Sequence, residues 1–464
     1  MCDKVRKPQS AWLLLCIILF SATCGGVHQV YAKSAQGNRV LMILNDPKEE
    51  QTKYSQLVKS LRDRGFTVTS KAAADSSLSL IQYEEKLADH LILFAPEVES
   101  YGNEFSIGKI IDYVNAGGNV LVAASSSVSE FIRDLALEFS ADFDEAGRSV
   151  FDDFHSLDAN TQSSASKIKS SNFIQNPHIL PPSVTSGPPV IFADGVGHRL
   201  TGRNTFIIPV LSGFPSTFTA MKTDGGLDAT SILGGSVTLV SALQARNNAR
   251  VVFTGSVAMF SDEYWNGKAD GRKSGNGPFA IELTKWAFHE KGVLKVQNVR
   301  HHERNGTQQL GTYHQGPTYR IKDYFTYEIE ISKYENDEWL PFTTNDIQLE
   351  AIMIDPYYRL PLIPSTPSPA ARDTQHYAVT FQLPDVYGVF TFKVDYKRHG
   401  LTWLLASDTV PIRPFRHDEY PRFISSAHVY YVNTFSLMIG FVLLCMLWMY
   451  HRETKPAGVV KKTQ

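Results

Sequence analysis

Side chains suited to chemistry are few and scattered along this chain. Asp152-Asp153-Phe154-His155 puts two carboxylates and an imidazole within four residues, the donor types of a metal centre or an acid/base pair. The run lacks the spacing of a recognised site, and a solvated acidic loop accounts for it as well. His301-His302-Glu303 again offers ligand types without the spacing of a helical zinc motif, and is expected on a connector between domains. Ser125, in Val122-Ala123-Ala124-Ser125-Ser126-Ser127, stands where an α/β sheet presents its ligand-binding edge. It has no flanking glycines to make a nucleophile elbow, and an N-cap role for Ser126 or Ser127 is the simpler account. Asn45-Asp46-Pro47-Lys48 follows the first apolar run without the glycines of a phosphate cradle, and Gly195-Val196-Gly197 reads as a turn. Asp385 and Asp395 read as turn or exposed-face carboxylates. No catalytic residue, cofactor site or metal site is therefore assigned. One covalent signal stands out: Asn305-Gly306-Thr307 is an N-glycosylation sequon in a polar stretch.

The elements that would position these residues fall into two kinds. From residue 39 to 292, short apolar runs (39–44, 66–70, 90–94, 119–123) alternate with amphipathic stretches at 54–65, 106–116 and 128–139. In the first of these, Tyr54, Leu57, Val58 and Leu61 share one face. Strands buried on both faces and separated by helices predict βαβ units on a parallel, doubly wound sheet. An irregular insertion is expected around 143–189, with further strands at 190–193, 206–211, 237–243 and 250–255 and a helix at 278–290. Beyond 293 the period changes to two. Phe325, Tyr327, Ile329 and Ile331 alternate with polar residues, as do Phe390, Phe392, Val394 and Tyr396. That alternation predicts an antiparallel β-sandwich over 293–428.

The two ends read as membrane-directed. Lys4, Arg6 and Lys7 precede an apolar run at 11–20, the pattern of a signal peptide over 1–32, with cleavage after Cys24 or Ala32. Residues 429–450 carry no charged side chain and form a helix about 33 Å long, enough to span a bilayer core of about 30 Å. Arg452, Lys455, Lys461 and Lys462 follow in the tail at 451–464, so the positive-inside bias predicts a single-pass type I protein with a cytosolic tail. Lys461 and Lys462 also resemble a dilysine retrieval signal. Ser436 and Gly440, four apart, offer a close-approach face within the helix. The four cysteines, Cys2, Cys16, Cys24 and Cys445, all fall in these end segments, which excludes a disulfide scaffold or cysteine zinc site in between. With Lys+Arg 45 against Asp+Glu 47, no overall field favours nucleic acid.

Five segments carry a resemblance: Ser77-Leu78-Ser79-Leu80-Ile81, residues 90–96, residues 117–126, LQARNNARVVFTGS at 243–256, and LPDVYGVFTFKVDYKRHG at 383–400. Together they resemble the 48 kDa subunit family of the dolichyl-diphosphooligosaccharide–protein glycosyltransferase (oligosaccharyltransferase) complex, over essentially all of the chain from Arg39 onward. The resemblance implies a non-catalytic subunit of an endoplasmic-reticulum membrane complex, with an amidotransferase-like α/β sheet in its N-terminal half. That complex moves a preassembled glycan from dolichyl diphosphate to Asn of Asn-x-Ser/Thr sequons. The implied partners are a multi-spanning catalytic subunit, ribophorins and small membrane subunits, with the role of supporting complex assembly. The alternatives are a membrane-anchored enzyme or sugar-binding module using the α/β crevice, and a cargo receptor of the early secretory route.

Overall fold

A computed structural model describes residues 34–452, apart from 103–104, 158–166, 203, 224–225, 229, 270, 304–308, 311–317, 336, 366–372 and 421. The expected leader, Asn305, Lys461 and Lys462 lie outside the described residues. The first apolar run forms β1 (Arg39–Leu44), buried from Val40 onward. Helix α1 (Ser55–Asp63) buries Leu57, Val58 and Leu61. Then follow β2 (Thr67–Ala72), β3 (His90–Phe94), α2 (Ile107–Asn115), β4 (Asn119–Ala123) and α3 (Glu130–Glu138). Ser106 caps α2 by accepting from Lys109 N at 3.4 Å, the role short polar residues take at helix starts.

Next come β5 (Ala141–Phe143), β6 (Arg148–Phe151), β7 (Lys167–Ser170), β8 (Val190–Ala193), β9 (His198–Leu200), β10 (Ile207–Ser212), β11 (Phe218–Thr223), β12 (Thr238–Gln244) and β13 (Arg250–Thr254). Helix α4 (Asn276–Ala287) closes this part. The main sheet has the order β2-β1-β3-β4-β13-β12-β9-β5, with β10 also on β12. Its first five strands are parallel. Beyond β13 the sheet turns antiparallel. Apolar cores fill both faces, one under α1 and α4 and the other under α2 and α3, as a parallel sheet requires. The stretch around 143–189 holds two short strands with partners elsewhere. β6 pairs with β11, and β7 forms a separate antiparallel ribbon with β8, which lies off the main sheet.

The period-two segments build a sandwich. Its strands are β14 (Lys291–Glu303), β15 (Tyr319–Arg320), β16 (Tyr324–Glu335), β17 (Glu338–Pro341), β18 (Gln348–Ile352), β19 (Pro356–Pro361), β20 (Gln375–Gln382), β21 (Gly388–Tyr396) and β22 (Leu404–Arg413). One sheet centres on β14-β16-β20, the other runs β15-β22-β21-β18-β19. Phe325, Tyr327, Ile329 and Ile331 face Phe390, Phe392 and Val394 in one core, with Phe325 and Phe392 stacked at 4.7 Å between ring centres. Each such side chain contributes about 2–3 kcal/mol by leaving water. The connector expected at His301-His302-Glu303 is overturned. These are the last residues of β14, paired with Tyr327, Thr326 and Phe325. Helix α5 (His428–Tyr450) ends the described chain.

Candidate functional site

The carboxyl edge of the parallel strands is the usual ligand site of such a sheet, and here backbone covers it beyond β4 and β13. The segment Asp194-Gly195-Val196 crosses it: Asp194 O accepts from Ser126 N at 3.1 Å, and Val196 N donates to Gly255 O at 2.9 Å. Val196 is fully buried, and a β-carbon on Gly255 would collide with the Val196 carbonyl oxygen, so glycine is required for that close approach. Ser125 is half-buried beneath this plug, its hydroxyl oxygen accepting from Ser127 N at 3.2 Å. That is a local turn rather than an activated nucleophile, which would need a base within reach.

Asp152 and His155 do meet, with Nδ1 3.1 Å from Oδ2. Ser216 joins them by donating to both Asp152 oxygens, at 3.0 and 2.9 Å, so a serine, a histidine and an aspartate stand together. Their order is wrong for catalysis. In a triad the serine bonds one ring nitrogen and the aspartate the other, whereas here Ser216 and His155 both address the same carboxylate. Thr217 Oγ1 and the backbone N–H groups of Phe154 and His155 complete its shell. These donors hold the buried Asp152 carboxyl below its ordinary range against the opposing effect of burial. The cluster is a self-satisfied tie between loops, and Asp153 stays exposed.

His301 is buried and bonded to Tyr319 Oη at 2.8 Å, while its neighbour His302 faces Glu328 on the other side of β14. Strand alternation thus separates the doublet. Asp385 pairs with Lys322 at 2.8 Å, and Asp395 accepts from Trp403 Nε1 at 2.7 Å. Ser436 Oγ donates to its own helix at Asn433 O, and Gly440 has open space beside it. Among the described residues, no group of three or more His, Cys, Asp or Glu side chains is placed to hold a metal.

The densest polar chemistry lies at the opposite, amino edge of the sheet. His90, Asn119 and Arg250 each open an apolar strand and are fully buried. Asn119 Nδ2 donates to His90 Nδ1 at 3.1 Å, and Asn119 Oδ1 accepts from Arg250 N at 2.9 Å. The Arg250 guanidinium donates to Trp286 O at 2.6 Å, Lys291 O at 2.9 Å and Gly292 O at 3.0 Å, over the Trp286 ring. Burial with these neutral partners pulls its pKa down to about 9, so it stays cationic at neutral pH. Trp286 Nε1 continues the chain to Gly400 O at 3.0 Å. Asn248 holds the Trp403 backbone from both sides, accepting its N–H at 2.6 Å and donating to its carbonyl at 3.3 Å. Gln244 Nε2 donates to Leu401 O at 2.7 Å, and Asn176 Nδ2 to His399 O at 2.8 Å. Gly400 takes φ +88°, a left-handed turn that aims these carbonyls at the α/β part.

This joint fastens the sandwich to the sheet through side chains answering backbone carbonyls. A groove of about 380 Å³ opens beside it, lined in part by Phe206, Arg246, Trp286, Lys397, Arg398 and Trp403. Two of its cations are already matched, Arg398 by Asp346 at 2.8 Å and Lys397 by Asp395 at 3.6 Å. Sequence reading missed the joint. Its one signal was a polar residue heading each buried apolar strand: His before LILF, Asn before VLVA, Arg before VVFT. The segments 90–96, 117–126, 243–256 and 383–400 all contribute to it.

Comparison with known proteins finds relatives over most of the chain. The family described as OST48, N-terminal domain, matches residues 31–290, and that described as OST48 middle domain matches 301–452. Three relatives bear the name dolichyl-diphosphooligosaccharide–protein glycosyltransferase 48 kDa subunit. The Arabidopsis thaliana protein is 36% identical over 89% of this chain and 93% of its own. The Danio rerio protein is 37% identical over 89% and 92%, and the Caenorhabditis elegans protein 35% over 93% and 95%. A solved structure of a putative thua-like protein from Parabacteroides merdae, 14% identical, covers 54% of this chain and 89% of its own. Its TM-score of 0.28 carries no argument.

Proposed function

The chain belongs to the family of the dolichyl-diphosphooligosaccharide–protein glycosyltransferase 48 kDa subunit, and on that premise we propose that it serves the complex as a non-catalytic, membrane-tethered body. The complex would transfer a preassembled glycan from dolichyl diphosphate to Asn of Asn-x-Ser/Thr sequons. This chain would contribute to its assembly rather than to the bond-making step. The carrying observation is the apolar helix Ser425–Tyr450, none of whose most apolar stretch is buried against the rest of the chain. So much unpartnered apolar surface on one element fits lipid and neighbouring membrane helices.

The reading extends to topology. A cleaved leader over 1–32 and a basic tail place the α/β part (33–292, with its insertion around 143–189) and the sandwich (293–428) in the endoplasmic-reticulum lumen. The helix (429–450) is a single type I span, and 451–464 is cytosolic. Asn305 would carry a glycan, Lys461 and Lys462 would act in retrieval, and Ser436 and Gly440 would pack against a partner helix. The partners would be a multi-spanning catalytic subunit, ribophorins and small membrane subunits. The filled crevice at Ser125 gives the enzyme and sugar-binding alternatives no support.

The test is depletion and complementation. Cells lacking the chain are expected to show reduced sequon occupancy on secreted glycoproteins, restored by the full chain. A version with 425–450 deleted should neither restore it nor co-purify a multi-spanning subunit. Full occupancy in depleted cells with the complex intact would overturn the proposal. So would glycopeptide formation by the purified chain alone.

A further inference from the structure

The sandwich has two unlike ends. At one, strands β14, β21 and β22 meet the α/β part through Gly292, Gly400 and Thr402, as the joint requires. At the other, the chain leaves β22 for the apolar helix. We propose that this second end is a membrane-contact surface, seated among the lipid headgroups of the bilayer. The inference rests on reading Ser425–Tyr450 as a membrane span.

Strand registry fixes which residues share that end. Gly388 opens β21 opposite Ile412 near the close of β22, so Tyr387 and Val389 lie where the chain departs. Ile352, the last residue of β18, pairs with Thr391, which hangs the turn containing Ile354 off the same edge. The Tyr357 ring is 6.1 Å from that of Phe390. On the other sheet, β16 starts there too: Lys322 reaches Asp385 at 2.8 Å, and Leu383 N donates to Asp323 O at 2.9 Å. Tyr324, Ile354, Tyr357, Tyr387 and Val389 are all exposed, Ile354 at 87% and Tyr387 at 65%. Large apolar and amphipathic side chains gathered on one rim suit an interface that is apolar on one side and wet on the other.

The chain itself sets the distance to the bilayer. At the close of β22, Arg413 grips Glu419 with two hydrogen bonds, at 2.6 and 2.7 Å, and Arg416 N donates to the same carboxylate at 2.8 Å. Arg320 stands 3.7 Å from Glu419, so the connection is folded back onto this end of the sandwich. Only six Cα steps separate Glu419 from the helix start at Ser425, a reach of about 20 Å at full extension. Those steps include the exposed Tyr420, Phe423 and Ile424, and the Phe423 ring stacks on Tyr431 of the helix at 4.8 Å. The apolar rim and the membrane entry point are therefore joined by a short aromatic strap. Lipid is favoured over a protein occupant by this continuity with the span. At about 3.3 Å per residue, the nine residues of β21 then hold the joint and the α/β part about 30 Å from the headgroups.

The test uses the full chain in phosphatidylcholine/phosphatidylserine vesicles containing spin-labelled lipids. Single cysteines carry a thiol-reactive fluorophore in a background with Cys2, Cys16 and Cys24 replaced by alanine and Cys445 by serine. The sites are Ile354→Cys and Tyr387→Cys at the rim, and Leu340→Cys and Leu405→Cys at the joint end as controls. The native Cys445, kept in a separate sample, reports the span. Lipid spin-labelled near the headgroup is expected to quench positions 354 and 387 at least about twofold more than 340 and 405, with Cys445 quenched by a deep acyl-chain label. Equal quenching at rim and controls, with Cys445 quenched, would overturn the surface and leave the span standing. An unquenched Cys445 would remove the span and the surface with it. Rim quenching that vanishes in the assembled complex would assign the rim to a protein neighbour, and so also overturn it. Two rim sites are used so that misfolding of one variant leaves the other to decide.

Discussion

The two edges of the parallel sheet have exchanged their usual parts. In an open α/β sheet, loops at the carboxyl edge bind and react while the amino edge serves stability. Here the carboxyl edge is stopped at β4 and β13 by Gly195-Val196 lying over Gly255, and its one candidate nucleophile, Ser125, is tied into a turn. The amino edge instead carries the buried series His90, Asn119, Arg250 and Trp286, and grips the sandwich. Arg250 and Trp286 address this chain's own second half, while His90 and Asn119 hold the strands that carry them. At its amino edge the sheet acts as a coupling plate.

The comparison breaks most visibly at Arg250. Arg250→Met keeps much of the aliphatic bulk but removes three hydrogen bonds, to Trp286 O, Lys291 O and Gly292 O, and the cation over Trp286. We expect a loss of about 3–5 kcal/mol, read from urea unfolding of the full chain in detergent. Arg250→Lys should recover only part of it, because a single ammonium cannot satisfy the same fork of carbonyls. A loss below about 1 kcal/mol would show that the joint is not what holds the halves.

Acid should weaken the fold from both edges of the sheet, through His90 at the amino edge and His198 at the carboxyl edge. Burial holds His90 at about 4 and His198, farther along the sheet, at about 3, against an unfolded value of about 6.5. Above 6.5 both states are neutral and the stability is fully present. As pH falls below 6.5 the unfolded chain takes up protons that the folded chain refuses. Stability then drains at about 1.4 kcal/mol per pH unit for each histidine until the folded values are reached. His198→Asn should flatten the slope of the thermal midpoint between pH 6 and pH 4 by about one histidine's share. An unchanged slope would contradict the neutral, buried assignment.

How much of this was legible in the sequence depends on distance along the chain. Elements whose signal is local came through: the apolar runs of β1, β3, β4 and β13, the helical faces of α1 to α3, and the alternation in β16 and β21. The failures involve remote partners. Strands β5, β6 and β7 have only three or four residues each and pair with strands far away, so their periodicity is too short to read. His301 and His302 passed for a connector because β14 carries a register shift after Val296 and polar residues on its wet face, which blur the alternation. The joint was invisible for the same reason. Arg250 reads as the first residue of a strand, and nothing nearby says its guanidinium will meet carbonyls 36 to 42 positions on.

The smallest expected effect sharpens the comparison from the other edge. Ser125 lies half-buried under the plug, and its hydroxyl accepts one local N–H at 3.2 Å. Removing that oxygen by Ser125→Ala should cost no more than about 0.5–1 kcal/mol, the worth of one ordinary hydrogen bond. Sequon occupancy in complemented cells should match wild type, because the Ser125 hydroxyl, tied into a turn beside the plug, has no base to activate it. The pairing with Arg250 is what makes the small number informative. If Ser125→Ala abolished glycosylation while the complex still co-purified intact, the carboxyl edge would be a working site after all. The plug at Gly195-Val196 would then have to open in the assembled complex, and the roles of the two edges would revert to those of an ordinary α/β enzyme.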